Sequence, residues 1–154
     1  MRFLFIDRIE HFVKDKEAVG IKSISGGEEF FLNHYSRLPV FPEPLIIEAL
    51  AQVGGWAIST SMNYCYLAIM VMIDEARFFK FVHPGDQLIL KVEITEINEY
   101  GAAIRGIAMV KEDVVAQIER IYYTLFEVPN EHKKKIRAGY VFASGKYLIK
   151  LDDE

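Results

Sequence analysis

The 154-residue sequence holds a single cysteine, Cys65, so no disulfide can form within the chain. It lies in the apolar run 65–73, which reads as a buried strand and gives the thiol a packing role. Charge of one sign is scarce too: 18 basic against 22 acidic side chains leave a net charge of −4. Nucleic acid or an anionic lipid surface would favour a clustered basic face, so neither is expected as a partner. Long apolar runs are also missing. The most hydrophobic stretch, 44–58, would reach about 22 Å as a helix against roughly 30 Å of bilayer hydrocarbon, and Glu48 and Gln52 interrupt it. The first residues lack the apolar segment and small-residue cleavage site of a secretory signal, and cytoplasmic residence is the resulting expectation. His11, His83 and His132 are scattered with no metal-site spacing, and no glycine-rich phosphate loop is present. No metal, nucleotide or redox cofactor is therefore expected.

What remains is an ordinary globular balance, 51% apolar and 26% charged, in a length suited to one domain with one core. Residues 3–13 and 17–24 are β-like runs around the turn Lys14-Asp15-Lys16, which predicts a hairpin. Three of the five prolines fall within 39–44. Because proline withholds backbone donors, 28–44 should be a rigid loop. Pro44 suits the first turn of a helix running to about Thr60. That helix is apolar around nearly its whole circumference, as only a helix enclosed by protein can be. Strands follow at 65–73, 76–82, 87–97, 102–111 and 114–126, with alternation clearest at Leu88, Leu90, Val92 and Ile94. One buried helix with about six antiparallel strands predicts an α+β architecture, a curved antiparallel sheet wrapped around one long central helix. The domain should occupy 1–128, and 129–154 a C-terminal extension with a charged run at 131–135 and a final hairpin around Ser144-Gly145.

Glu48 is the feature that most needs a cause, since burying an ionised carboxylate without a partner is costly. Gln52 follows one turn later on the same face, so the two polar side chains point together. A buried Glu held neutral is suited to act as a general acid. The alternative is a carboxyl satisfied by backbone donors or a subunit interface. His34 stands in the proline-rich loop that feeds the helix, and its ordinary pKa makes it a usable base. Taken alone, a loop histidine is more often an ordinary surface or hydrogen-bonding residue.

Together, His34-x4-Pro39-x2-Pro42-x5-Glu48-x3-Gln52 resembles the signature of the bacterial 3-hydroxyacyl-[acyl-carrier-protein] dehydratases. The run from Leu45 to Gly55 is similar to that family's central helix almost letter for letter. Ile73-Asp74-Glu75-Ala76-Arg77-Phe78 and Pro84-Gly85-Asp86-Gln87-Leu88 resemble its next two markers, in order. The resemblance implies a hotdog fold and a homodimer, or a trimer of dimers, with an apolar tunnel where two chains meet. His34 of one chain would remove the proton α to a thioester carbonyl, while Glu48 of the other would protonate the departing 3-hydroxyl. The enolate oxygen would meet backbone N–H groups near Met72 and at the helix N-terminus. Gln52 would orient Glu48 or a water. Pro39, Phe41 and Phe78 would line the tunnel, or serve only packing and loop rigidity. The implied partner is an acyl carrier protein bearing the thioester substrate. The chain departs from the family pattern at Tyr35-Ser36-Arg37, Leu38, Glu43, Met72 and Phe79. Tyr35-Ser36-Arg37, Glu43 and Met72 favour the alternative of a non-catalytic hotdog subunit that binds the carrier or completes a heterodimer with an active paralogue. A thioesterase ranks below both.

Overall fold

The computed structural model describes residues 4–28, 31 and 39–144, with side chains to residue 138. Two hairpin strands open it, β1 (Arg8–Val13) and β2 (Glu17–Ser23). The turn between them closes with the Lys16 N–H donating to Val13 O at 3.1 Å. Helix α1 (Glu43–Ser61) comes next, with Pro44 in its first turn. Four strands follow: β3 (Tyr66–Phe78), β4 (Gln87–Ile97), β5 (Gly101–Val110) and β6 (Asp113–Glu127). Helix α2 (Asn130–Ser144) ends the described chain.

All five strand pairings are antiparallel, in the order β1-β2-β4-β5-β6-β3. In β4 the predicted alternation places Leu88, Leu90, Val92 and Ile94 in the core and leaves Gln87, Lys91 and Glu93 in solvent. Helix α1 packs against the sheet from β2 across to β3. From Val53 through Ser61 every residue of α1 is buried. Two glycines permit this close packing. A Cβ at Gly20 in β2 would stand 2.5 Å from Val53 Cγ2, and one at Gly54 would stand 2.4 Å from Ile104 Cδ1 and 2.5 Å from the Tyr123 hydroxyl. A six-stranded antiparallel sheet around one helix is the expected hotdog architecture.

Four expectations need correction. Residue 3 lies outside the described residues, and among those described the first strand begins at Arg8; before it, Phe5 gives its N–H to the Gln52 side chain. The separate strands expected at 65–73 and 76–82 are one strand, which ends at Phe78 and leaves 79–82 outside the sheet. Glu75 adopts a positive φ of 51°, yet pairing with β6 continues across it, Asp74 opposite Arg120 and Ala76 opposite Ile118. A shift in register between Met70 and Met72 adds a second kink. Nor is this strand enclosed: β3 is an edge, and Ile69, Val71 and Met72 are exposed. Finally, the hairpin expected from residue 140 is helical through Ser144, because α2 runs on without a break. The rest of that expected hairpin lies outside the described residues. No helix among the described residues is long and apolar enough to cross a membrane.

Candidate active site

The site is built from the middle turns of α1. Residues 48, 51, 52, 55 and 56 follow the helical repeat and lie on one face. That face borders a cavity of about 600 Å³. Leu67 and Met70 of β3, together with Tyr123 of β6, form further parts of its wall. Leu4 and Ile6, on the extended chain before β1, and Ile136 of α2 add apolar cover. Among the described residues of this lining Glu48 is the sole carboxyl.

The carboxyl is aimed by a chain of hydrogen bonds. The backbone N–H of Phe5 donates to Gln52 Oε1 at 2.8 Å, and Gln52 Nε2 donates to Glu48 Oε1 at 2.7 Å. An amide has one accepting end and one donating end, so occupying the oxygen with a backbone donor turns the NH2 towards the carboxyl. Glu48 and Gln52 are half-buried, not sealed, which corrects the expectation of a fully enclosed helix: the cavity opens onto this face. Beside it, the Tyr123 hydroxyl donates to Ala51 O at 2.8 Å and fixes α1 against β6.

The remaining sequence-derived site residues are dispersed. His34 lies outside the described residues. Phe41 is fully buried, packed edge-to-face on Phe5 with ring centroids 6.4 Å apart. Its N–H donates to Val82 O at 2.7 Å, anchoring the loop entrance to α1. Pro39 is exposed, Phe78 is half-buried at the end of β3, and Met72 is 55% exposed beside the β3 kink. None of these four residues lines the cavity beside Glu48. Among the described residues, no group of three or more His, Cys, Asp or Glu is placed to hold a metal ion.

Sequence reasoning missed Ala51, Gly55, Trp56, Tyr123 and Ile136 as cavity residues. The three on α1 were within reach, since they follow Glu48 at helical spacing. Tyr123 and Ile136 join the cavity only through tertiary packing.

Comparison with known proteins places this geometry in context. The FabA-like domain family matches residues 1–124. The chain is 41% identical over 121 residues to the 3-hydroxyacyl-[acyl-carrier-protein] dehydratase FabZ of Caldanaerobacter subterraneus subsp. tengcongensis, covering 78% of this chain and 86% of that one. The FabZ of Halalkalibacterium halodurans is 44% identical over 121 residues, with the same coverage of 78% and 86%. Among solved structures, the dehydratase heterocomplex ApeI:P from Xenorhabdus doucetiae matches with a TM-score of 0.65 at 14% identity, covering 87% of this chain and 89% of that one. At that identity the likeness speaks for the fold alone.

Proposed function

The chain belongs to the FabA-like family, and we propose that it is a hydro-lyase eliminating water from a 3-hydroxyacyl thioester, carried on acyl carrier protein, in fatty acid or related lipid synthesis. The observation that carries this reading is the Glu48 carboxyl, held by Gln52 at the wall of an otherwise apolar cavity. An apolar cavity suits an acyl chain, and one positioned carboxyl suits proton delivery to a leaving hydroxyl.

His34 removes a proton from C2 of the substrate. The C2–H electron pair forms the new double bond, the C3–O bond breaks, and Glu48 gives its proton to the departing hydroxyl, which leaves as water. The product is a trans-2-enoyl thioester. His34 gains one proton and Glu48 loses one, and exchange with solvent restores both. Gln52 keeps the carboxyl pointed at the reacting centre.

The active unit is a homodimer in the cytoplasm, with the His34 of one subunit facing the partner subunit's Glu48. The outer edge of β3, which no strand among the described residues covers, supports that assembly, because an edge strand carrying exposed Ile69, Val71 and Met72 is a template for pairing with a second copy. Ile69 also borders the cavity, so the surface that would meet the second copy and the site adjoin.

The test is complementation. His34→Ala and Glu48→Gln should each lower hydration of a trans-2-enoyl thioester by roughly 10²- to 10⁴-fold. When the two variants are co-expressed in equal amounts, half the dimers are mixed, and each mixed dimer has one intact His–Glu pair. About a quarter of wild-type activity should return, by counting sites in a two-fold dimer. Singly inactive variants with no recovery would place both groups in one subunit. A wild-type protein without turnover on carrier-protein or coenzyme A thioesters would overturn the assignment. Activity appearing only after a second dehydratase-like chain is added would replace it with the non-catalytic subunit.

A further inference from the structure

One wall of the cavity comes from a helix that the family match does not reach. The match ends at residue 124, and α2 begins at Asn130. On α2, Lys133, Ile136 and Arg137 are half-buried, whereas Glu131, His132, Lys134, Lys135 and Ala138 are exposed. Residues 133, 136 and 137 share one helical face, so α2 is turned onto the body of the protein by its own periodicity.

That docking has anchors on both sides of Ile136. The Val128 N–H donates to Cys65 O at 2.8 Å, and the Val128 side chain is buried, which fixes the chain entering α2. Lys133 Nζ donates to Cys65 Sγ at 3.4 Å. Farther along, the Arg137 charge acts on the buried Tyr64 phenol. Between these contacts Ile136 borders the cavity that also holds Glu48. Its β-branched side chain has little χ1 freedom, so it presents a fixed wall and not a flap.

We infer that Ile136, carried by α2, limits the size of the acyl chain that this cavity accepts. The inference rests on the dehydratase reading for its substrate class, but the steric argument concerns the cavity itself. Burying one more methylene is worth about fourfold in affinity. Trimming Ile136 to Ala removes three carbons from the wall, so selectivity for longer over shorter chains should rise roughly fourfold for each methylene newly accommodated.

The experiment compares full-length wild type, Ile136→Ala, Ile136→Leu and Ile136→Phe. It measures kcat/KM for hydration of trans-2-enoyl thioesters from butenoyl to hexadecenoyl, with folding of each variant checked by circular dichroism. The optimum should move to longer chains in Ile136→Ala and to shorter chains in Ile136→Phe, and stay in place in Ile136→Leu. A wild-type profile in both folded variants, merely scaled, overturns the inference while leaving the dehydratase assignment intact. Calorimetric binding of saturated acyl-coenzyme A thioesters to the same proteins decides the case if turnover is absent. A shifted length preference there sustains the role of Ile136 although the functional reading has failed, and an unshifted one ends both.

Discussion

Gly54→Ala offers a stringent test of the packing, because two physical arguments predict opposite signs. In an exposed helix the change would stabilise by about 1 kcal/mol, since alanine is the better helix former. Here the new methyl would lie 2.4 Å from Ile104 Cδ1 and 2.5 Å from the Tyr123 hydroxyl. Carbon atoms prefer about 3.5–4.0 Å, so each overlap is on the order of 1 Å. Ile104 is fully buried in the core, and Tyr123, 4% exposed, can shift only towards the cavity it borders. Forcing a methyl into such a core costs roughly 1–3 kcal/mol. If the hydroxyl gives way, its bond to Ala51 O is lost as well, at roughly 1 kcal/mol. With that bond lost and the propensity gain subtracted, the net is a destabilisation of about 1–3 kcal/mol.

Urea unfolding reads this directly. With a slope of roughly 1–3 kcal/mol per molar, the midpoint should fall by about 1 M. Protein concentration must be held fixed, because assembly contributes to apparent stability. Ile104→Val deletes the nearest atom, Cδ1. In that background Gly54→Ala should cost about 1 kcal/mol less than in the wild type, a coupling expected of groups in contact. A Gly54→Ala midpoint equal to or above wild type would refute the close approach of α1 to β5 and β6.

Gln52→Leu should lower kcat roughly 10- to 100-fold with little change in KM, because it misaims Glu48 while keeping a side chain of similar size in the cavity wall; steady-state kinetics showing only a KM change would contradict that role. The Tyr64 phenol is pushed above its usual pKa of 10.0, chiefly by burial, with the Thr60 hydrogen bond and the Arg137 charge opposing. The folded state then holds this proton more tightly than the unfolded chain. The associated stability is fully present below pH 10 and is lost as pH rises through the folded value. Denaturant midpoints measured on either side of pH 10 should show that decline, and Tyr64→Phe should flatten it.

What could be read from sequence follows the range of the interactions involved. Glu48 and Gln52 were legible as a pair because helical spacing alone brings residues four apart together, and the structure joins them at 2.7 Å. The hairpin at Lys14-Asp15-Lys16 and the alternation of β4 are local in the same sense. Strand β3 was misread as two because Asp74-Glu75 carries the charges of a turn. Pairing with β6, distant in sequence, holds the chain extended through the positive φ of Glu75. The C-terminal hairpin failed for a related reason. Ser144-Gly145 fits a helix stop as well as a turn, and α2 runs to Ser144. That Phe5 orients Gln52 across 47 positions could not be inferred from any local pattern.

The same contacts that stabilise α1 also aim its carboxyl. A slide along the helix axis of about 1.5 Å, the rise of one residue, would carry Gly54 away from Ile104 and Tyr123, the neighbours that only a glycine admits so closely. The Gly20–Val53 approach blocks that slide from the β2 side, and the Tyr123–Ala51 hydrogen bond blocks it from β6. Gln52 then needs only the Phe5 N–H to set the last torsions of the acid. The site thus separates into two tiers. Substitutions at Gly20, Gly54 or Tyr123 should lower stability and turnover together, whereas those at Glu48 or Gln52 should lower turnover with the fold intact. An acid placed by backbone packing has little left to reorganise as substrate arrives, which is the condition under which proximity lowers a barrier most.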